Sequence, residues 1–353
     1  MWNAIHNAFA GSAWPLGFLV YLVLGAVIAR PRGTLGARAM AILGWPIELA
    51  QKLRGHGPLP YLFLLPNLLV FGIFTFAPLF INVGFSFTEG QSINFADRPF
   101  AGTDNWQRLL AETQIDTGAA NLEDDKFYRA VMDTSVFVIF QVPIMVLFSL
   151  ITALVLNRDI VARGFWRSIF FYPVMLSPVV VGFLWTLILK RQGLMTVTLM
   201  EWGWIDAPIQ WLVDPAWTMF WSVFVYTWAH LGFYMLILLA GLQAIPGDLY
   251  EAAEMDGASP WRVLRKITLP LLMPTLLVVT VLSLIKAFQA FEELYAMQVG
   301  WISIVAYIFE TAGLRGQTTT HGLGVAATAS LLIAGALAVL SVIQIFLSGR
   351  SAR

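Results

Sequence analysis

An all-α, polytopic membrane bundle is the fold this sequence predicts, on three observations. Hydrophobic residues make up 58% of the 353-residue chain and charged residues only 12%, against about 25% charged in a soluble domain. The apolar residues gather into runs of about 20, the length that crosses a bilayer as a helix. Such runs are far longer than barrel strands, and a helix satisfies its own backbone in lipid.

Seven runs qualify in chain order: Gly11–Ala29, Tyr61–Phe87, Val131–Leu156, Ser168–Leu189, Thr218–Leu242, Thr275–Met297 and Leu323–Leu347. A signal peptide would carry basic residues ahead of the first run. Here they follow it, which favours a retained helix. The next segment, to Tyr61, is basic and glycine-rich. Its middle, Ala37–Leu53, alternates apolar and basic residues, and fits either a helix on the membrane surface or a plain linker.

Orientation follows from Lys and Arg. The segments after the first, third and fifth runs, with the C-terminus, hold thirteen of the 21, and the opposite side holds seven. The richer side is cytoplasmic. The N-terminus is then expected outside and the C-terminus inside. The outer segment Glu89–Arg129 is acidic and reads as a small external cap, although its Glu123–Asp125 run also fits a solvated loop.

Composition excludes several chemistries. There is no cysteine, hence no disulfide or thiolate. His6, His56, His230 and His321 have no metal-site spacing. No Gly-rich phosphate loop of the ATP-binding kind occurs. The 21 basic and 21 acidic groups cancel, and no repeat of solenoid length is visible.

One polar stretch interrupts the apolar pattern, Gly241–Thr275, and the charge rule makes it cytoplasmic. Pro246 and Gly247 end the preceding helix, and Asp248 is expected to cap a short one with Glu251 in its early turns. Ala252 and Ala253 keep a face of that helix small. Gly257 suits a left-handed stop. Ser259 and Pro260 start a second helix, on which Trp261, Leu264 and Arg265 share a face. Pro270 and Pro274 are expected to govern re-entry into the membrane. The result is two short helices with a corner at Asp256–Ser259.

The spacing can be named. Glu251-Ala252-Ala253, three residues, Gly257, nine residues, then Ile267, Leu269 and Pro270 resembles the EAA loop of ABC importer permeases. The context resembles the carbohydrate-type permeases of the maltose and glycerol-3-phosphate class: GLQAIP before the loop, DGA within it, YPVMLSPVVVGFLW at Tyr172–Trp185, and FAGTDNWQRLL at Phe100–Leu110.

The resemblance implies a six-span type I permease core over residues 61–353. Its external loop covers about 88–130 and its coupling loop about 243–273. Residues 1–60 add a further transmembrane helix and a basic segment. It further implies a non-catalytic subunit of the bacterial inner membrane. ATP and Mg would be bound by an ATPase dimer, with a homologous second permease, an external binding protein and a carbohydrate solute as partners. Glu251, Ala252, Ala253, Asp256, Gly257, Ala258 and Trp261 would dock on the ATPase, Glu251 meeting a basic group and Gly257 forming the corner. Two departures stand out. The front helix is extra, and MQVGWISIVAYIFETAG replaces the family's Gly-rich, Pro-ended stretch after the fifth core span.

Candidates for the solute path are polar groups inside runs, where an ionised side chain costs about 2.5–3.5 kcal/mol on insertion scales. Lys286, Gln289 and Glu293 fall at i, i+3 and i+7 of one expected helix, on a face that could bind a polyhydroxylated solute or pair with neighbouring spans. Tyr226, His230 and Tyr234 form a stripe that could stack on a sugar or simply pack. Ser177, beside Pro173 and Pro178, marks a distorted helix that could line a cavity or serve packing. An ion-gradient transporter using Lys286 and Glu293 is the alternative, and a non-transporting scaffold a third reading that leaves that polar face unexplained.

Overall fold

The computed structural model describes residues 59–90, 92–111, 126–313 and 322–351. The first expected span, the Ala37–Leu53 segment and the Glu123–Asp125 run lie outside the described residues. Among the described residues six helices are long and apolar enough to cross a membrane: Leu64–Ser86, Lys126–Asn157, Pro178–Glu201, Trp217–Gln243, Pro260–Phe288 and Gly322–Val342. Among the described residues the one β feature is an antiparallel bridge between Thr88 and Phe100.

The chain divides after Ile81 into two compact units. In the first, α1 (Leu59–Phe71) passes through a π turn, Gly72–Phe76, into α2 (Ala77–Ser86). Ala77 donates its N–H to the Gly72 carbonyl, five residues back. Pro78 comes next, and its ring would press on the carbonyl four residues before it. The widened turn absorbs that conflict.

The second unit opens with the segment expected to form the cap. A 3-10 turn, Phe95–Asp97, precedes α3 (Asp104–Ala111). The Asn105 amide donates to the Ser86 and Thr88 carbonyls at 3.0 and 2.9 Å. Arg98, only 7% exposed, donates to the Thr88 hydroxyl and the Ser92 carbonyl, both at 2.8 Å, and lies over the Phe85 ring. Burial lowers its pKa from the ordinary arginine value. The hydrogen bonds and the ring face offset that loss of water.

Then come α4 (Lys126–Asn157), α5 (Arg163–Phe171), α6 (Pro178–Leu189), α7 (Leu194–Glu201), α8 (Pro215–Gln243), α9 (Asp248–Met255), α10 (Pro260–Val263), α11 (Leu269–Phe288), α12 (Glu292–Met297), α13 (Ile304–Thr311) and α14 (Gly322–Ser351). The main core joins α4, α8 and α11 through Phe137, Met145, Tyr234, Leu238 and Leu272. An outer cluster joins Leu109, Phe127, Ile304, Tyr307 and Val325. A third holds Val181, Trp211, Val225 and Met297.

Two expected spans are not single helices. The run Ser168–Leu189 breaks into α5, a 3-10 turn at Tyr172–Met175, an extended Ser177 and α6. Pro173 and Pro178 supply no N–H, and each restricts the residue before it. The run Thr275–Met297 breaks at Gln289–Phe291, where Phe291 has φ −147° and ψ −61°. The displaced α12 packs on α6 at Gly182. A Cβ there would lie 2.5 Å from the Glu293 carbonyl oxygen and 2.6 Å from the Ala296 Cβ.

Gly182→Leu should therefore overpack the α6–α12 contact by about 1–3 kcal/mol and lower the thermal midpoint in detergent. Gly164→Ala, at a helical position with nothing within 4 Å of an added Cβ, should leave the midpoint in place.

Candidate docking site and solute path

The polar stretch after α8 is built from its caps. Gln243 ends α8, and the chain turns through Ala244–Gly247. The N-cap of α9 is Gly247, not Asp248. Asp248 is the first helical residue, where with Glu251 its charge still favours the positive end of the helix. The Gly247 carbonyl accepts from Tyr250 and Glu251, so the backbone forms this start without a side-chain cap.

At the other end Ala258 donates to the Ala253 carbonyl and Gly257 to the Glu254 carbonyl, both at 2.9 Å. This pair of bonds is a Schellman stop. Gly257 takes the left-handed conformation it needs, φ +67°, which costs a residue with a Cβ about 1–2 kcal/mol. An added Cβ would meet nothing within 4 Å. This chain thus constrains Gly257 by backbone angle, not by space.

Ser259 is the extended cap of the second helix and Pro260 its first residue. That helix does not stop before the membrane, as two separate short helices would require. It runs through a π turn, Leu264–Thr268, straight into α11, giving one helical rod from Pro260 to Phe288, 29 residues long. Leu269 donates its N–H to the Leu264 carbonyl, and Pro270 follows. The device is the one seen before Pro78: a widened turn just upstream of a proline lets the helix continue.

The exposed surface of this corner carries Glu251, Ala252, Asp256, Gly257 and Trp261. Ala253 does not belong to it: it is buried against its own chain and Ala258 is half-buried. Adjacent helical residues project about 100° apart, so the two alanines cannot keep a common face small. Met255, 89% exposed, joins the open side, a residue the motif spacing passes over. Its one signal was an apolar residue at the end of a short helix that carries three acidic groups. Trp261 is 67% exposed. Asp248, Glu251, Glu254 and Asp256 precede Arg262, Arg265 and Lys266, so the corner is acidic on one arm and basic on the other.

Three contacts tie together the elements that lead into and out of the corner. The Tyr250 hydroxyl lies 3.3 Å from the Thr268 hydroxyl. With its amide oxygen turned toward them, Gln243 accepts from Arg163 and Arg167 at 3.2 and 3.1 Å. Arg163 also lies 3.7 Å from Asp159. Orientation was the only role the sequence offered these two arginines. Between the corner and the end of α4 lies an open groove of ≈ 720 Å³ bordered by Asn157, Arg158, Glu254 and Trp261.

The candidates for the solute path divide. Lys286 and Gln289 are exposed, but Glu293 is 4% exposed. The break at Gln289 destroys the i, i+3, i+7 face, because α12 no longer continues α11. Glu293 instead meets α8, with a carboxylate oxygen 3.7 Å from His230 Nδ1. That nitrogen is 3.0 Å from the Tyr226 carbonyl. A carbonyl only accepts, so Nδ1 carries the proton. The rings of Tyr226 and His230 stack at 4.3 Å. The Tyr226 hydroxyl donates to the Lys286 carbonyl at 2.8 Å, a second donor on an acceptor that the Gln289 N–H meets at 3.2 Å in the last turn. Tyr234 is 2% exposed in the core, and Ser177 is an exposed cap before α6. Tyr226, His230 and Glu293 therefore form one cluster, and the Lys286 side chain, Gln289, Tyr234 and Ser177 stand outside it.

The chain as a whole is similar to known proteins. Residues 119–351 match the family model described as the binding-protein-dependent transport system inner membrane component. The lactose transport system permease protein LacF of Rhizobium radiobacter is 30% identical over 294 residues, covering 81% of this chain and 92% of that protein. The trehalose/maltose transport system permease protein MalF of Thermococcus litoralis is 31% identical over 278 residues, 76% of this chain and 89% of that one. Among solved structures, a bacterial ABC transporter involved in the import of the acidic polysaccharide alginate has a chain with TM-score 0.63 at 24% identity. The match covers 83% of this chain and 95% of that one. The family match and the two permease relatives support the ATP-driven reading over the ion-gradient alternative. The chain belongs to the binding-protein-dependent transport system inner membrane components, and is a multi-pass, non-catalytic permease subunit of an ATP-driven importer.

Proposed function

We propose that this subunit moves a carbohydrate or sugar derivative into the cytoplasm together with a second, homologous permease and an external binding protein, with two ATPase subunits binding ATP and Mg. The N-terminus is outside and the C-terminus in the cytoplasm. The observation that carries the reading is the exposed corner at Asp256–Ser259, joined without interruption to a membrane span. Glu251, Ala252, Asp256, Gly257, Met255 and Trp261 dock in a cleft of the ATPase. Burying side chains as large as Met255 and Trp261 contributes about 1.5–3 kcal/mol each, and Glu251 meets a basic group. Ala253 and Ala258 serve by holding the corner in shape. Closure of the ATPase then drags a rod that ends at the Tyr226–Lys286 bond.

The carbohydrate class is supported by the lactose and trehalose/maltose relatives. Lys286 adds a local argument. It is exposed on a membrane helix, and a cation there needs water or a partner. A solute path between two permease subunits provides both. Gln289 lines the same path. The cluster of Tyr226, His230 and Glu293 controls the shape of its wall, and Tyr234 and Ser177 support it from outside the cluster.

The test uses the importer assembled with its partner subunits and cargo-loaded binding protein. Gly257→Asp and Gly257→Asn should keep normal membrane levels, because the backbone cost is only about 1–2 kcal/mol. Both should lose the cargo-dependent rise in ATP hydrolysis, because any side chain at the corner obstructs seating. Normal levels with unchanged stimulation would contradict docking at this corner. Lys286→Ala should reduce uptake while that stimulation persists. Uptake equal to the parent would remove Lys286 from the path.

A further inference from the structure

The connection from α6 to α8 carries an open apolar surface that neither docking nor the solute path uses. Its inner side is fastened. The Trp211 indole N–H donates to the Thr196 hydroxyl at 2.8 Å, and Thr196 is 1% exposed. Its outer side is open. Leu194, Val197 and Met200 recur at three-residue steps along α7 and are 69%, 43% and 41% exposed. Just beyond, Trp202 and Trp204 are 63% and 72% exposed and meet edge to face at 5.5 Å. The charge rule puts this connection on the outer side of the membrane. Contiguous apolar surface of that kind marks an interaction site.

The outer leaflet is the occupant that fits. Depth is the first argument. Counting about 20 residues of α8 back from Gln243, about 30 Å, reaches Val223. The first turns of α8 and the α6–α8 connection then stand at the membrane's outer boundary. Continuity is the second. Leu187 on α6 and Phe220 on α8 are 56% and 53% exposed on membrane helices. Rings run on from there, Phe220 to Trp217 at 6.3 Å and Trp217 to Trp211 at 5.1 Å. Chemistry is the third. Indole rings favour the headgroup level, where one edge is apolar and the N–H is wet. Lys190 and Arg191 are exposed beside α7, within reach of phosphates by extending their stems.

We propose that α7 and the Trp202–Trp204 turn lie in the headgroup region of the outer leaflet as an interfacial anchor. The anchor fixes the depth of the outer ends of α6 and α8. It does not depend on the solute or on the ATPase.

The cysteine-free chain allows a clean test. Trp202→Cys, Trp204→Cys and the milder Val197→Cys are each spin-labelled and reconstituted in phosphatidylethanolamine–phosphatidylglycerol vesicles. Accessibility to oxygen and to a water-soluble nickel chelate gives depth. Ala96→Cys, exposed in the external cap, supplies the aqueous reference. The expected result is a shift at positions 197, 202 and 204 away from that reference toward oxygen, as for a headgroup-level site. Values equal to the Ala96→Cys reference would overturn the anchor in favour of a solvated loop. Exclusion of both reagents would overturn it in favour of a protein partner.

Discussion

A backbone in hydrocarbon has no water to bond, and an unpaired N–H or C=O there costs several kcal/mol. Several departures from a straight helix among the described residues sit where something absorbs that cost. Pro78 and Pro270 each follow a π turn whose closing bond spans five residues. At the break after Phe288 a neighbouring helix adds a donor, the Tyr226 hydroxyl on the Lys286 carbonyl. The Leu212 carbonyl, beside the start of α8, accepts from the Thr218 hydroxyl at 2.8 Å. The bends are part of the built fold.

That constraint joins the two ends of the subunit. The π turn at Leu264–Thr268 makes the helix after the corner and the span one rod. The break at Gln289 ends the rod and starts α12, which packs so tightly on α6 that only glycine fits at position 182. Glu293 is thereby turned toward His230 on α8. Under the proposed function, a pull at Gly257–Trp261 is delivered along α11 to the contact between Lys286 and Tyr226. The main core is built on α4, α8 and α11, the helices along which such a pull would travel.

The bundle and the corner glycine of the polar island were legible in the sequence. They rest on run length and on spacing. What was not legible shares a cause. A run of apolar residues reads the same whether its helix is straight or interrupted. Pro173 and Pro178 gave warning of one break. Nothing in Lys286–Glu293 warned of the other, because Gln289, Ala290 and Phe291 are all compatible with a helix. The i, i+3, i+7 pattern was therefore sound arithmetic on the wrong backbone. The joining of docking helix and span was missed for the opposite reason. Pro270 reads as a stop, and only the wider turn before it lets the helix pass. Ala253 was assigned to the docking face by motif membership, yet its position in α9 turns it inward.

The central claim is that the docking corner and the span move as one rod. Spin labels on Arg262→Cys and Lys286→Cys, in the otherwise cysteine-free chain, measure it by pulsed dipolar spectroscopy. Twenty-four helical residues separate them, about 36 Å at 1.5 Å per residue. In the assembled importer the account predicts one narrow distance near that value, the same without nucleotide and with trapped ATP. A distance that changes between the two states, or a broad distribution in either, would make the Leu264–Thr268 turn a hinge and contradict it.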